Sequence, residues 1–477
     1  MTACGNSTVH GKAARLSSFL PLAMTSLPRR HFLKTAALSA LAGPNILRAA
    51  DSKQKIRVAC VGIGQMGGGA VQASQGEEIV AFCDVDWRDL GGRSAFEQAK
   101  KHPNVPKFTD FREMLDKKGG EIDAVLISTP DHTHFAAAMA AMEAKKHVFV
   151  QKPLAHNIWQ VRTLQKAAKK YGVQTVMGNQ GHCWEGIRLV KEWFEAGVLG
   201  EVREVHCWTD RPVSKVGFLP KFPTQAPAGE PVPKDVDWKL WQGPVAEAEY
   251  NSQYLPQFWR GWWNYGCGGL GDIGCHCLDA PFWTLQLGMP EKVEVVEQQP
   301  GDFKGYTAPK SHIIFHFAAR GTLPPVQIHW YEGGLLPEAL PGMAKGLPDN
   351  GMIMKGSKET LFSEGMRVQS PQLWPRERMT PLIDILRRKP LPRSVAGEPI
   401  GELFAAIRGT IPHAGSHFDY ACPLTELVNT GVMAIRSGKT IEWDAASMKV
   451  KGAPEFDAWI KEPVRDGWSY GEDLWKV

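Results

Sequence analysis

Short apolar runs of strand length recur along the chain after residue 55, and helical patterns separate them. The runs are IRVACVG (56–62), EIVAFCDVD (78–86), IDAVLIS (122–128), HVFV (147–150) and VQTVMGN (173–179). Strands that alternate with helices indicate βαβ units, which bring parallel strands into one sheet. The pattern predicts an α/β domain over residues 55–181 with a doubly wound parallel sheet.

The second half of the chain alternates apolar and polar residues instead. The segments KVEVVEQ (292–298), HIIFHFAA (312–319) and PVQIHWYEG (325–333) follow this period of two, and a predicted hairpin spans 352–362. Such alternation is typical of antiparallel strands with one buried face. We expect an α+β domain over 182–450 with a largely antiparallel open sheet, including a long Pro- and Gly-rich surface loop at 211–256, and a C-terminal extension at 451–477.

A glycine pattern predicts a nucleotide-binding turn after the first apolar run. The G-x-G-x-x-G turn comprises Gly62, Gly64, Gln65, Met66 and Gly67. Its spacing lets a pyrophosphate approach backbone N–H groups at a helix N-terminus. The next run ends at Asp84, near the position of the acid that binds a ribose 2′-hydroxyl, and Asp86 is the alternative. An acid there repels a 2′-phosphate, so we expect NAD rather than NADP, although Arg88 is a candidate phosphate clamp.

Two further strand ends are predicted at the same edge of the sheet. The third run leads to Thr129 and Pro130, and the fourth leads to Gln151 and Lys152. Ligands of an open parallel sheet bind beyond the carboxyl ends of its strands. Lys152 is therefore predicted to point toward a substrate.

A second group of candidate residues lies beyond the first domain. Glycines precede a predicted helix on which Asp272 and His276 are four residues apart and share one face. An acid and an imidazole so placed can share a proton and engage a substrate hydroxyl. Asn179, in a turn at the sixth strand end, is a candidate hydroxyl contact. Arg260 and Trp262 lie in a tryptophan-rich region, where rings stack on flat sugar faces.

The glycine turn and the strand ends together resemble the Gfo/Idh/MocA family, which includes glucose–fructose oxidoreductase and inositol dehydrogenase. The family's Glu-Lys-Pro motif is matched by residues 151–153, where Gln151 replaces the glutamate and the catalytic lysine is kept as Lys152. Its T-P-N-x-x-H pattern is matched by residues 129–134, with Asp for Asn, which implies that His134 lies near the nicotinamide. The resemblance implies a Rossmann domain that binds NAD.

The resemblance also implies a reaction and its residues. A hydroxyl of a sugar, sugar derivative or cyclitol would transfer a hydride to the nicotinamide, which would have to be held tightly if the protein is exported. We expect His276 to accept the hydroxyl proton, Lys152 to stabilise the oxygen and Asp272 to hold or polarise one of them. The opposite assignment, with Lys152 as the base, stays open. An NAD-dependent glycoside hydrolase and a noncatalytic sugar-binding protein are the alternative functions.

Residues 1–50 comprise an N-terminal extension and, from Met24 onward, a segment that resembles a twin-arginine export signal. Arg29 and Arg30 precede the short apolar stretch TAALSALAGPNIL, which predicts translation from Met24, cleavage near Ala49 or Ala50 and a periplasmic protein. The pI of 8.6 and the net charge of +5 are mild, and the basic residues are not clustered, so we expect no nucleic-acid partner. No apolar run is long enough for a membrane span in the mature chain.

Two expectations concern metals and assembly. Three cysteines flank His276, but the chain has no paired Cys-x-x-C motif, so no metal is expected. We expect a homo-oligomer formed through the sheet of the second domain.

Overall fold

The first domain contains a six-stranded parallel sheet. The computed structural model describes residues 54–214 and 216–476, so the predicted export signal lies outside the described residues. The strands are β1 (Arg57–Val61), β2 (Glu78–Cys83), β3 (Lys107–Phe108), β4 (Ala124–Ile127), β5 (His147–Val150) and β6 (Thr175–Met177). Their order is β3-β2-β1-β4-β5-β6. This order confirms the predicted doubly wound sheet, because it reverses between β1 and β4.

Helices cover both faces of this sheet. They are α1 (Gly67–Ala73), α2 (Ala95–Lys100), α3 (Phe111–Lys118), α4 (Asp131–Glu143) and α5 (Ile158–Tyr171). Alternate residues of each strand belong to two separate cores, one shared with α3 to α5 and the other with α1 and α2. The long helix α5 begins where the Asn157 side chain accepts the Gln160 N–H and ends at the left-handed Gly172.

The second domain contains a nine-stranded sheet. Its strands are β7 (Val202–Trp208), β8 (Lys292–Gln299), β9 (Lys310–Phe317), β10 (Val326–Glu332), β11 (Gly351–Gly356), β12 (Thr360–Glu364), β13 (Gln372–Trp374), β14 (Ile441–Asp444) and β15 (Lys449–Val450). The order is β13-β12-β11-β7-β10-β9-β8-β14-β15. Only β7 and β10 pair in parallel among these neighbours. The predicted strands and the predicted hairpin, β11–β12, are confirmed.

The remaining helices follow β6. They are α6 (Glu185–Glu195), α7 (Trp238–Gln242), α8 (Gly268–Cys277), α9 (Asp279–Thr284), α10 (Ile383–Leu386), α11 (Pro399–Ile407), α12 (Phe418–Ser437) and α13 (Asp457–Ile460). The buried helix α12 packs against α8, α5 and the sheet strands β8 and β9. The predicted loop 211–256 contains the short helix α7. In the part of the chain that the structure describes, no helix has the length and apolar character that a membrane span requires.

Two C-terminal segments return to the first domain. Ile400, Leu403 and Phe404 of α11 are buried in the core that α1 and α2 share with the parallel sheet. Further on, the Trp468 ring meets Phe111 of α3 edge to face, with 6.0 Å between ring centroids. The core of the first domain is therefore completed by residues that were predicted to belong to the second domain and to the C-terminal extension.

Candidate active site

A cavity of about 400 Å³ opens at the carboxyl ends of the parallel strands. One wall consists of the glycine turn and the ends of β2, β4 and β5, and another consists of α8 together with the loop that contains α7. Twelve of the sixteen predicted site residues line it: Gly62, Gly64, Gln65, Met66, Asp84, Thr129, Pro130, Gln151, Lys152, Arg260, Asp272 and His276. The structure thus brings the two predicted groups of residues to one place.

The glycine turn is built so tightly that side chains are excluded. Gly62 has φ +73°, and a Cβ there would lie 2.9 Å from the backbone of Ser128 and Thr129. A Cβ on Gly67 would lie 1.8 Å from the Gly62 carbonyl oxygen. Gly67 is therefore needed for close packing behind the turn, while the preceding residues face the cavity.

Asp84 holds this turn. Its Oδ2 accepts the N–H groups of Ile63 at 2.8 Å and Gly64 at 3.3 Å, and its Oδ1 accepts the Asp86 N–H at 3.0 Å. Burial raises the pKa of Asp84 to about 6. Asp86 also lines the cavity and forms a two-pronged ion pair with Arg88. The three backbone donors leave about one of the four lone pairs of the Asp84 carboxylate for a ligand, and the assignment of Asp84 to a ribose hydroxyl stays a prediction.

The cavity wall fits a polar nucleotide. The hydroxyl groups of Ser128 and Thr129 are buried there without a hydrogen-bond partner among the described residues. His134, in contrast, does not line the cavity. Its ring nitrogens lie 2.8 Å from the carbonyl oxygens of Pro153 and Thr129, so the ring ties the ends of β4 and β5 together behind the site.

Lys152 and Asp272 form the centre of the site. The ammonium group donates to Asp272 Oδ1 at 2.7 Å and to the Asp272 carbonyl at 2.6 Å. Arg260 Nε approaches the same carboxylate at 3.2 Å, and Arg211 Nε lies 3.7 Å from it. Burial alone would raise the pKa of Asp272, but the charges of Lys152, Arg260 and Arg211 hold it well below its usual range.

His276 is fixed from both sides of its ring. Nδ1 lies 2.8 Å from Asn179 Oδ1, and Arg367 Nη2 donates to Nε2 at 3.1 Å. Because a guanidinium can only donate, Nε2 carries the lone pair and Nδ1 carries the proton. Burial and the charges of Arg367 and Lys152 lower the pKa of His276 well below its ordinary value. The imidazole is therefore neutral at pH 7.

Asn179 positions His276 and does not line the cavity. Its carboxamide is fully buried between His276 and the Cys275 carbonyl, to which Nδ2 donates at 2.9 Å. The predicted contact between Asn179 and a substrate hydroxyl is replaced by this role, because both ends of the amide are occupied within the protein.

Trp262 also lies away from the cavity. Its ring packs edge to face against Tyr254 and Tyr306, and its Nε1 donates to the Gln253 carbonyl at 3.2 Å. Trp259 and Trp241 line the cavity instead. The Arg260 guanidinium lies 4.3 Å from the Trp259 ring centroid, a cation–π contact that orients it.

Arg211 and Arg367 are site residues that sequence reasoning missed. Arg211 follows β7 by three residues, and Arg367 follows the β11–β12 hairpin. Neither belongs to a local motif, since only the folding of the second sheet beside α8 brings them to the cavity.

The cysteines around His276 are buried, and burial raises the pKa of Cys267, Cys275 and Cys277, which disfavours the thiolate form that binds metals.

Comparison with known proteins identifies relatives for both domains. Residues 56–179 match the NAD-binding Rossmann domain of an oxidoreductase family, and residues 194–317 match the C-terminal alpha/beta domain of that family. A glycosyl hydrolase family 109 protein from Shewanella pealeana is 34% identical over 207 residues, which are 37% of this chain and 44% of the relative. Inositol 2-dehydrogenase from Salmonella typhimurium is 26% identical over 156 residues, 32% of this chain and 45% of the relative. The matches thus span less than half of each curated relative.

Solved structures share the fold over most of the chain. The WlbA dehydrogenase from Bordetella pertussis, solved with NADH and UDP-GlcNAcA, has a TM-score of 0.55 at 17% identity and covers 82% of this chain and 99% of its own. An inositol dehydrogenase homolog from Azotobacter vinelandii, solved with NAD+, has a TM-score of 0.53 at 16% identity and covers 82% of this chain and 98% of its own. With both domain profiles matched in order, the chain belongs to the Gfo/Idh/MocA family of oxidoreductases.

Proposed function

We propose that the protein oxidises a hydroxyl of a sugar, sugar derivative or cyclitol, using a nicotinamide nucleotide held by the glycine turn. This proposal rests on one observation: Lys152, Asp272 and His276 line the same cavity as the glycine turn. Relatives named inositol 2-dehydrogenase support the substrate class. When bound, the nucleotide would supply the hydride acceptor.

The residues around the substrate hydroxyl have distinct tasks. His276 Nε2 accepts the hydroxyl proton, since Asn179 fixes the tautomer that leaves this nitrogen unprotonated. Lys152 donates to the same oxygen and stabilises its developing negative charge. Two of the three ammonium N–H groups are occupied by Asp272, which leaves one for a ligand.

NAD is the nucleotide that the site favours over NADP. Asp86 lies in the cavity wall just beyond β2, where an acid binds ribose hydroxyls and repels a 2′-phosphate. Arg88 pairs with Asp86 through both prongs of its guanidinium, so a 2′-phosphate would have to displace Asp86 in order to bind Arg88. Mass spectrometry of nucleotide released from the purified protein tests this assignment, and NADP as the main species would contradict it.

A redox-neutral glycosidase is the second candidate function. The relative from Shewanella pealeana carries the name of a glycosyl hydrolase family. Transient oxidation of a sugar carbon acidifies the neighbouring C–H, so loss of this proton expels the aglycone and leaves an unsaturated ketone. Water then adds to the double bond, the proton is returned, and the hydride reduces the ketone back to the alcohol. The two functions require the same site but leave different products.

A paired assay separates the two functions. Purified protein is supplied with excess NAD and with free sugars, acidic sugars, cyclitols and chromogenic glycosides, and reduced nicotinamide and released aglycone are both measured. Steady formation of reduced nicotinamide from a free sugar indicates a dehydrogenase, and aglycone release without net reduction indicates a glycosidase. Failure of every substrate in both assays, acidic sugars included, with nucleotide bound, would favour a noncatalytic sugar-binding protein.

A further inference from the structure

Arg367 is a guanidinium in the cavity wall that lacks a counter-charge. Its Nη2 reaches His276 Nε2 at 3.1 Å and Gln180 Oε1 at 3.3 Å, and both acceptors are neutral. Its Nε is buried and has no hydrogen-bond partner among the described residues. Within those residues no carboxylate lies within ion-pair distance of Arg367, whereas Arg211 pairs with Asp210 and Arg260 pairs with Asp272.

Such an arginine is costly for the protein alone. Arg367 is half-buried, and burial lowers the pKa of its guanidinium. Charged groups taken out of water are retained when a partner of opposite charge compensates them. The Arg367 stem packs over Gly181, where a Cβ would come within 3.3 Å of the Arg367 Cβ, so the stem is also held in place. The missing partner is expected from the ligand.

We propose that Arg367 forms the subsite for an oxyanion carried by the substrate, so that the sugar or cyclitol bears a carboxylate or a phosphate group. This inference rests on the proposed oxidoreductase function and names its substrate class. A guanidinium suits both groups, because its planar fork donates to two oxygen atoms at once. The unpaired charge of Arg367 lies beside His276 and not beside the glycine turn. We therefore assign the oxyanion to the substrate and not to the nucleotide.

Binding of the oxyanion also prepares His276 for proton transfer. In the unliganded site, Arg367 donates to the lone pair that must take the hydroxyl proton. An oxyanion that draws the guanidinium toward itself releases this lone pair. The substrate O–H bond can then break as the Nε2–H bond forms. Neutral sugars lack the group that frees His276, so they are expected to react slowly as well as bind weakly.

Binding measurements test the subsite without requiring turnover. The probes are matched sets with one ring configuration: glucose, glucuronate and glucose 6-phosphate, and galactose, galacturonate and galactose 6-phosphate. Isothermal titration of the nucleotide-loaded full chain should show at least one acidic sugar binding about tenfold or more tightly than its neutral counterpart, as expected for a charge-assisted hydrogen bond. The member that binds more tightly distinguishes carboxylate from phosphate.

Two variants complete the test. Arg367→Met should abolish the preference for the acidic sugar, while Arg378→Met, which removes an exposed arginine paired with Glu359, should keep it. Equal binding of acidic and neutral sugars by the wild-type protein, or an unchanged preference in Arg367→Met, would overturn the subsite. Either result leaves hydride transfer to a neutral sugar intact, whereas anion preference without any hydride transfer would contradict only the proposed function.

Discussion

At the residue scale, Lys152 is the most direct test of the site. Lys152→Met removes the donor to the reacting oxygen but keeps most of the side-chain volume. Loss of such a donor costs on the order of 3 kcal/mol, so we expect the turnover number to fall about a hundredfold or more. Bound nucleotide should be retained, because the glycine turn is untouched. Lys100→Met, at an exposed position in α2, is the control for both measurements.

The pH dependence of turnover distinguishes the two candidate bases. His276 accepts a proton only when it is neutral, and its pKa lies below the ordinary value. The ratio kcat/KM should therefore stay level around neutral pH and fall only as the pH drops well below about 6.5. A fall of kcat/KM that begins above this range would contradict His276 as the base and would leave Lys152 as the candidate.

Asn179→Asp makes this test specific to His276. The new carboxylate would lie beside Nδ1, and a neighbouring negative charge favours the protonated imidazole. We expect the acidic limb of kcat/KM to move upward by about one pH unit or more. An unchanged limb in this variant would show that a group other than His276 limits turnover at low pH.

At the element scale, the glycine turn depends on backbone contact. Gly67→Ala places a methyl group against the Gly62 carbonyl oxygen, so the turn must open and nucleotide affinity should fall at least about tenfold. Gly69→Ala is the matched control in the same helix, because nothing lies within 4 Å of a Cβ there. It should leave nucleotide binding intact and stabilise α1 by up to about 1 kcal/mol. Equal nucleotide affinity in both variants would remove Gly67 from the binding turn.

Elements with strong local signals were predictable from sequence, and contacts between distant elements were not. Strand periodicity and the glycine spacing predicted both sheets, and the four-residue spacing predicted that Asp272 and His276 share a face of α8. Asn179 was placed at the correct strand end, but its orientation depends on α8 packing beside it. Arg367 is 91 residues from His276 in sequence, and no local sequence pattern predicts their contact.

At the scale of the whole molecule, the C-terminal segment fastens the two domains together. Trp468 is 7% exposed, and the Arg112 guanidinium lies 4.3 Å from its ring centroid. Trp468→Ala should lower the free energy of unfolding by about 3 kcal/mol or more, measured by urea denaturation. Val464→Ala, at an exposed position nearby, should change it by less than about 0.5 kcal/mol. Similar losses in both variants would contradict a specific anchoring role for Trp468.

The packing of α11 against the parallel sheet has a consequence for folding during synthesis. The six strands of the parallel sheet are encoded before residue 178, but α11, which completes one of their two cores, begins only at Pro399. During the intervening synthesis, α1 and α2 can cover part of that face, but the apolar residues that α11 covers stay open to solvent and to other chains. The nucleotide domain therefore reaches its final form late, after most of the second domain has emerged. Chaperone capture of nascent chains should accordingly persist until α11 has been synthesised.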